Sequence, residues 1–343
     1  MTIERRVTIA DVASHAEVST AAVSKVLRNA YGVSPAMQAR VRQAMADLGY
    51  RPHAAARGMR GQTYTIGVMI PDVRNPFFPE LVEGVSDHLD GTDYQALLGP
   101  GGSEPESQAR ITDAMIDRRM DGLIMIAPIV QRRQLEATAR SVPTVVIGRH
   151  GASADFDAIV DDDVMGAGLI IDHLVELGHR RIAHIEHKPV GRGMPATMPQ
   201  TVRAEGYRRA MRRHGLESEI DVVASTYSEQ GGYEAARELL SRPVRPTAIF
   251  AGADVAAIGV LNAAYEAGLD VPGDISVAGY DNTAIAALGP ISLTSVEQDG
   301  HLMGTNAARL LLERIEGKRQ RSMLMSLSPT LVPRRTTAPP PGA

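Results

Sequence analysis

Apolar residues recur at helical spacing over the first fifty positions, and later gather into short β-rich runs separated by amphipathic stretches. Thr8 with Asp11 three residues on forms a capping-box signature, after which Ile9, Val12 and Ala13 supply one apolar face, predicting a first helix over Ile9 to His15. Ser19 is a good N-cap for a second helix, whose Ala22, Val23, Val26 and Leu27 form a stripe. Thr20, Ala21, Ser24, Lys25 and Arg28 are left on its other face. Ser34 before Pro35 predicts a third start, and Met37, Val41, Ala44, Met45 and Leu48 keep helical spacing until Gly49 ends it.

From about Tyr64 the period changes. Runs at Thr65 to Ile70, Gln95 to Leu98, Gly122 to Ile126, Thr144 to Ile147, Ile182 to Ile185, Val222 to Ser225, Thr247 to Phe250 and Ile275 to Gly279 read as strands. Helical stretches lie between most of them: Glu80 to Leu89, Ile111 to Arg119, Gly166 to Leu177, Ala204 to His214, Gly232 to Leu240 and Val255 to Ala267. Alternating strands and helices predict parallel sheets covered on both faces. The series divides near Asp161 to Asp163 into two similar arrays, which predicts two lobes of doubly wound α/β fold behind an all-α headpiece. Asp161 to Asp163 are expected to form a helix N-cap and a crossover between lobes, with Asp161 touching a ligand.

Charge sharpens this division. Residues 1–61 hold nine Lys/Arg against four acids, a net of +5, which leaves −9 on the remainder of a chain whose total is −4. A basic module on an acidic body is the footprint of a DNA-binding arm. The chain has no cysteine, so disulfides, thiol nucleophiles and cysteine zinc sites are excluded. It shows no signal-peptide pattern and no run of membrane-spanning length, so a cytoplasmic location is expected and no membrane partner. Neither G-x-S-x-G, Walker A nor H-E-x-x-H occurs, and the expectation is a protein that is not an enzyme and needs no cofactor. His173, His179, His184 and His187 fit no compact zinc spacing, so no metal site is expected.

The most specific signal lies between Thr8 and Leu27. A helix-turn-helix needs small residues where its helices cross and a polar face on the second helix, and Ala13, Ala16, Val18, Val23 and Val26 suit the crossing. This segment resembles the lac repressor and gal repressor family, whose T-[IL]-x-D-V-A-x-x-A-G-V-S-x-x-T-V-S-R-V-L pattern is met by Thr8, Ile9, Asp11, Val12, Ala13, Ala16, Val18, Ser19, Val23, Ser24, Val26 and Leu27. The resemblance extends over essentially the whole chain. Three positions depart from it: Glu17 stands for the turn glycine, Ala22 for threonine and Lys25 for arginine.

The resemblance implies a repressor of palindromic operator DNA, acting as a homodimer and released by a small-molecule effector. Its base-reading positions fall on Thr20, Ala21 and Lys25, with Ser19 and Ser24 on phosphates and Thr8, Arg28 and Arg57 completing the DNA-facing set. Tyr50, Pro52, Ala56 and Arg57 match the family's hinge, and Met59 occupies the position of its minor-groove wedge. In the body the likeness is to periplasmic-type sugar-binding domains. It implies effector contacts from Phe77 and Phe78 in the loop after the first strand, from Asp161, from Arg203 in the R-x-x-G-[FY] run and from Tyr227 by stacking. Asp254 at a helix start and Asp281 at a strand end complete the set, although the usual polar neighbour of Asp254 is Ala253 here. A sugar or sugar derivative is the expected effector; the alternatives are a purine-type corepressor-dependent repressor and a small-molecule-binding protein without DNA regulation.

The expected domains are a headpiece at 1–50, a hinge at 51–62, a two-lobed domain at 63–335 and a disordered tail at 336–343. Within the two-lobed domain the N lobe takes 63–162 and 295–325, and the C lobe 163–294 and 326–335. The family's tetramer-forming leucine heptad is missing from the proline-rich tail, so a dimer is preferred.

Overall fold

A computed structural model describes residues 7–27, 32–50, 62–187 and 196–342, and divides the chain between Thr63 and Tyr64 into two compact units. The first unit contains α1 (Ile9–His15), α2 (Thr20–Leu27) and α3 (Pro35–Asp47). Thr8 caps α1 with a complete capping box, and the Ser34 hydroxyl accepts from the Met37 amide at the start of α3. These caps fix where the chain turns, so Val12, Ala13, Ala16, Val23, Val26, Val41 and Ala44 close over one another as a small core. Small side chains let the short helices cross closely.

The second unit carries two parallel sheets. The N-lobe sheet runs in the order β11-β5-β4-β3-β1-β2, from β1 (Thr65–Ile70), β2 (Gln95–Pro100), β3 (Gly122–Ile126), β4 (Thr144–Ile147), β5 (Asp157–Asp161) and β11 (Leu324–Leu327). The C-lobe sheet runs β7-β6-β8-β9, from β6 (Ile182–His187), β7 (Asp221–Ser225), β8 (Ala248–Ala251) and β9 (Ser276–Ala278). The interior strands are buried along nearly their whole length, as sheets covered on both faces must be. The N lobe carries α4 (Phe77–Leu89), α5 (Pro105–Asp117), α6 (Arg132–Ser141) and α11 (Gly300–Ile315). On the C lobe lie α7 (Asp163–Glu176), α8 (Pro199–Arg213), α9 (Glu229–Leu240) and α10 (Asp254–Glu266). Helices α4 and α11 touch backbone to backbone: a Cβ on Gly304 would stand 1.9 Å from the Leu81 carbonyl oxygen.

The chain passes between the lobes after β5, after β10 (Ser295–Glu297) and between β11 and β12 (Thr330–Val332). Strands β10 and β12 form an antiparallel ribbon, tied to the C lobe by bridges Ala278–Thr294 and Asp281–Glu297. The expected lobe limits are corrected accordingly. Residues 295–297 belong with the ribbon rather than with the N lobe, and β11 carries the N-lobe sheet on through Leu327.

The tail is a second correction, because Thr336 to Ala338 are tied to the C lobe rather than disordered. The Thr336 carbonyl accepts from the Val277 amide at 2.8 Å, and Ser276 and the Ala338 amide are joined at 3.0 Å. His179 Nε2 reaches the Ala338 carbonyl at 2.8 Å. Proline content predicted disorder, but the threonines just before the prolines supply the donors and acceptors that prolines lack.

Candidate functional site

In the headpiece the second helix presents Thr20, Ala21 and Lys25 to solvent on the side opposite Val23 and Val26. Ser19 is exposed, and its Oγ accepts from the Ala22 amide at 3.1 Å, so it caps the helix it begins. Ser24 lies half-buried on the same face. No acid stands in the first turn of α2 to neutralise the positive end of the helix dipole, the arrangement that suits a phosphate. Thr8 contributes differently from the expectation of a contact alone: its hydroxyl donates to Asp11 at 2.7 Å and fixes α1. Arg28, Arg57 and Met59 lie outside the described residues.

The turn between α1 and α2 is where Glu17 stands for the glycine of the family pattern. Glu17 adopts φ +54°, the left-handed region where a side chain other than glycine costs ~1 kcal/mol. Glu17→Gly is therefore expected to stabilise the headpiece by ~1 kcal/mol in denaturant unfolding, and an unchanged or lower midpoint would contradict it.

In the body, the carboxyl ends of both sheets meet at one cleft. Each sheet reverses its strand order beside its first strand, and ligands of doubly wound folds bind at such a switch point. The innermost part is a cavity of about 90 Å³, and six of the seven expected effector residues reach it: Phe77, Phe78, Asp161, Arg203, Tyr227 and Asp281. A water needs ~10–15 Å³ on this measure, so the space holds a cluster of waters or one small ring. Phe77 and Phe78 come from the start of α4, tilted at 56° to one another with centroids 6.1 Å apart, and form the apolar wall. Gln298, which the sequence pattern did not single out, also lines the cavity and donates to Asp281 Oδ1 at 2.5 Å. Asn75, Gln200 and Gly148 are among the other lining residues that the sequence left unread.

Arg203 is the hub of this wall. Its Nε and Nη2 donate to Asp163 Oδ1 at 3.0 and 2.7 Å, Nη1 donates to the Gly252 carbonyl, and the guanidinium stacks over Tyr280 at 3.5 Å from the ring centre. Burial works against its charge, but the adjacent Asp163 carboxylate overrides this and holds it firmly protonated. The second oxygen of Asp163 meets His150 Nε2 at 2.7 Å, so this carboxylate ties the loop after β4 to the C lobe. Asp161 accepts from the Tyr280 hydroxyl at 2.7 Å.

Asp254 is a correction. It is 1 % exposed and does not line the cavity; its Oδ2 accepts from the amide and hydroxyl of Thr283, and its Oδ1 from Ser295 at 2.6 Å. Its role is to pin the loop carrying Asp281 to the ribbon. The neighbouring Ala253 takes the place on the cavity wall and offers it no hydrogen bond. Of the clustered histidines, His179 bonds Thr247 and the tail, and His184 Nδ1 bonds the Phe250 carbonyl. His187 accepts from the Tyr227 amide.

More carboxyls than cations face this cleft. Asp161 is pushed up to about 7 by burial and by the Asp163 charge, and Asp281 is likewise raised by burial. The folded protein thus holds a proton on Asp161 that the unfolded chain releases near 3.8. Stability from this group is complete below that value and is lost as pH rises through about 7. Asp161→Asn, which keeps an acceptor for Tyr280, is expected to flatten that loss, so its unfolding midpoint gains on the wild type between pH 4 and pH 8. A constant difference across that range would contradict the assignment.

A DNA-reading helix in one unit and a cleft built for a small polar ligand in the other define a ligand-responsive DNA-binding regulator. Residues 8–53 match the bacterial regulatory proteins of the lacI family, and residues 171–337 match the periplasmic binding protein-like domain. The ribose operon repressor of Escherichia coli (strain K12) is 36% identical over 331 residues, covering 95% of this chain and 98% of that protein. The repressor PurR of Klebsiella pneumoniae (strain 342) is 35% identical over 340 residues, covering 97% and 98%. Among solved structures, the lac repressor dimer bound to operator and the anti-inducer ONPF aligns with a TM-score of 0.80 at 25% identity over 97% of this chain and 100% of that one. A LacI family regulator from Enterococcus faecium with bound ribose aligns at 0.70 and 30% identity over 80% and 99%. The chain belongs to the lacI family of bacterial transcription regulators; it is a DNA-binding repressor with a small-molecule effector, not an enzyme. No helix among the described residues is long and apolar enough to cross a membrane.

Proposed function

We propose that the protein is a homodimeric repressor that occupies a palindromic operator and is released when a sugar or sugar derivative enters the inner cavity. The observation that carries this is the cavity itself, whose lining combines Phe77 and Phe78 with Asp161, Arg203, Asp281 and Gln298. Carboxylates accept from paired hydroxyls, an arginine and an amide donate in return, and aromatic faces cover the C–H side of a sugar ring. The ribose in the Enterococcus regulator and the ribose repressor of Escherichia coli support a pentose. Ala253 and Gly148 leave two stretches of the wall without a polar group, so the pattern of hydroxyls recognised is this chain's own.

Dimerisation has a physical candidate in β2, an edge strand with Leu97 and Leu98 47% and 50% exposed. Two unpaired apolar positions on a sheet edge favour a partner that covers them. The repressor works in the cytoplasm, where its operator is. In it, Thr20, Ala21 and Lys25 read bases, while Ser19 and Ser24 hold phosphates.

The effector site is tested with Asp281→Ala. In a fluorescence anisotropy titration on operator DNA, the wild type is expected to lose affinity as effector is added and the variant to lose that response. A variant that responds normally, or that no longer binds operator at all, would overturn the site.

A further inference from the structure

Among the described residues, Asp281 and Asn282 are the only two consecutive residues other than glycine with positive φ, at +109° and +49°. Most side chains are disfavoured there; aspartate and asparagine enter the region most readily because their short polar groups find nearby partners. Such a backbone persists only where its surroundings over-determine it, and it concentrates at functional sites. Here it carries a carboxylate that lines the inner cavity.

The pair is held through the side chain of Asn282, which does not itself line the cavity. Its Nδ2 donates to Glu297 Oε2 at 2.7 Å, and its Oδ1 accepts from Arg334 Nη2 at 2.6 Å. These partners fix the orientation of the amide, since a guanidinium only donates and a carboxylate accepts. The Asn282 backbone N–H donates to Ser295 Oγ at 3.0 Å. Arg334 is itself anchored by Nη1 on the Leu293 carbonyl at 2.6 Å, and Glu297 by Oε1 on the Asp299 amide at 2.6 Å.

The two partners come from different passes of the chain between the lobes. Glu297 ends β10, where the chain leaves for α11, and Arg334 lies just beyond β12, where it has returned from β11. The residue that follows Asp281 is thus clasped between two crossings. Asp281 Oδ1 is occupied by Gln298, and its amide donates to the Val296 carbonyl at 2.9 Å. The direction of its other oxygen therefore depends on the backbone at 281 and 282.

We propose that Asn282 and Arg334 are positioning residues of the effector site: held between Glu297 and Arg334, Asn282 keeps the backbone in the conformation that aims Asp281 into the cavity. Neither touches the effector. The inference rests on the proposed reading of Asp281 as an effector contact.

The test is calorimetric titration of the full-length protein with ribose, beside urea unfolding of each variant. Asn282→Gly accepts the positive φ without strain but leaves nothing to clasp, and Arg334→Met keeps the length of the side chain without its donors. Each is expected to weaken ribose at least fivefold while remaining folded. The double variant should lose no more than threefold beyond Asn282→Gly alone, because Arg334 acts through Asn282. A merely structural role would lower the urea midpoint and leave the affinity of the folded protein unchanged. A loss of less than fivefold in Asn282→Gly would overturn the proposal; a smaller loss in Arg334→Met, or losses that multiply in the double variant, would remove Arg334 from it. Asp281→Ala, titrated alongside, separates the two readings. If it loses ribose while Asn282→Gly keeps it, only the clasp falls; if it binds ribose like the wild type, or the wild type binds none, the effector-contact reading falls and the clasp with it.

Discussion

Arg203→Ala is expected to lower the unfolding free energy of the effector-free body by ~3–5 kcal/mol, the range for breaking a buried ion pair by removing one partner, and to abolish the response to effector. The size follows from what is left behind. Asp163 has no exposed side-chain surface, and its Oδ1 takes both bonds from Arg203. Without the guanidinium, that carboxylate keeps only His150 on its other oxygen. The Gly252 carbonyl and the face of Tyr280 lose their partner as well. Lysine restores one charge but cannot span Asp163 and Gly252 together, so Arg203→Lys should recover a minor part. Urea unfolding of the two variants and of Arg203→Ala/Asp163→Ala decides the cause. If the buried charge is responsible, the double variant is more stable than Arg203→Ala; if it is less stable, the loss comes from packing.

Lys25→Ala should weaken binding to the specific operator by about 5- to 150-fold, equivalent to ~1–3 kcal/mol for a base-edge contact. Lys25 is exposed on the outer face of α2, one turn beyond Ala21, the position from which the proposed base contact would be made. Because it is a compact point donor, Lys25→Arg is expected to change which base is preferred at its position as well as the affinity. Competitive binding to duplexes differing at one base pair measures both. A loss that is equal for all sequences, with a salt dependence reduced by about one counterion, would instead place Lys25 on a phosphate.

Much of this was legible in the chain because the local signals agree with the fold. The caps at Thr8 and Ser34, the apolar stripe of α2 and the turn at Glu17 are set by neighbours a few residues away, and their positions emerged as read. The cleft residues at strand ends followed from the family resemblance, and the alternation of strand and helix made two doubly wound lobes the natural expectation. What escaped depends on long-range contacts. Strand β5, DAIVD, begins and ends in aspartates that look like loop, yet Asp157 is buried because Arg314 and Arg319, more than 150 positions on, both bind it. Strands β10 and β12 are three residues each, too short to show a period, and exist because they pair with one another. Asp254 looked like a ligand contact from the family resemblance; only the folded chain brings Thr283 and Ser295 to saturate it. Gln298 carries no sequence signal of its own.

The central claim, that one ligand in the body governs DNA binding by the headpiece, is tested most directly by operator affinity of the full-length protein. A palindromic duplex recovered by selection from random sequence is titrated with and without the tightest-binding effector, for the wild type and for Asp281→Ala. The expected result is sequence-specific binding by both, weakened at least tenfold by effector in the wild type and unaffected by it in the variant. Operator affinity that is indifferent to every ligand bound in the cleft would contradict the account.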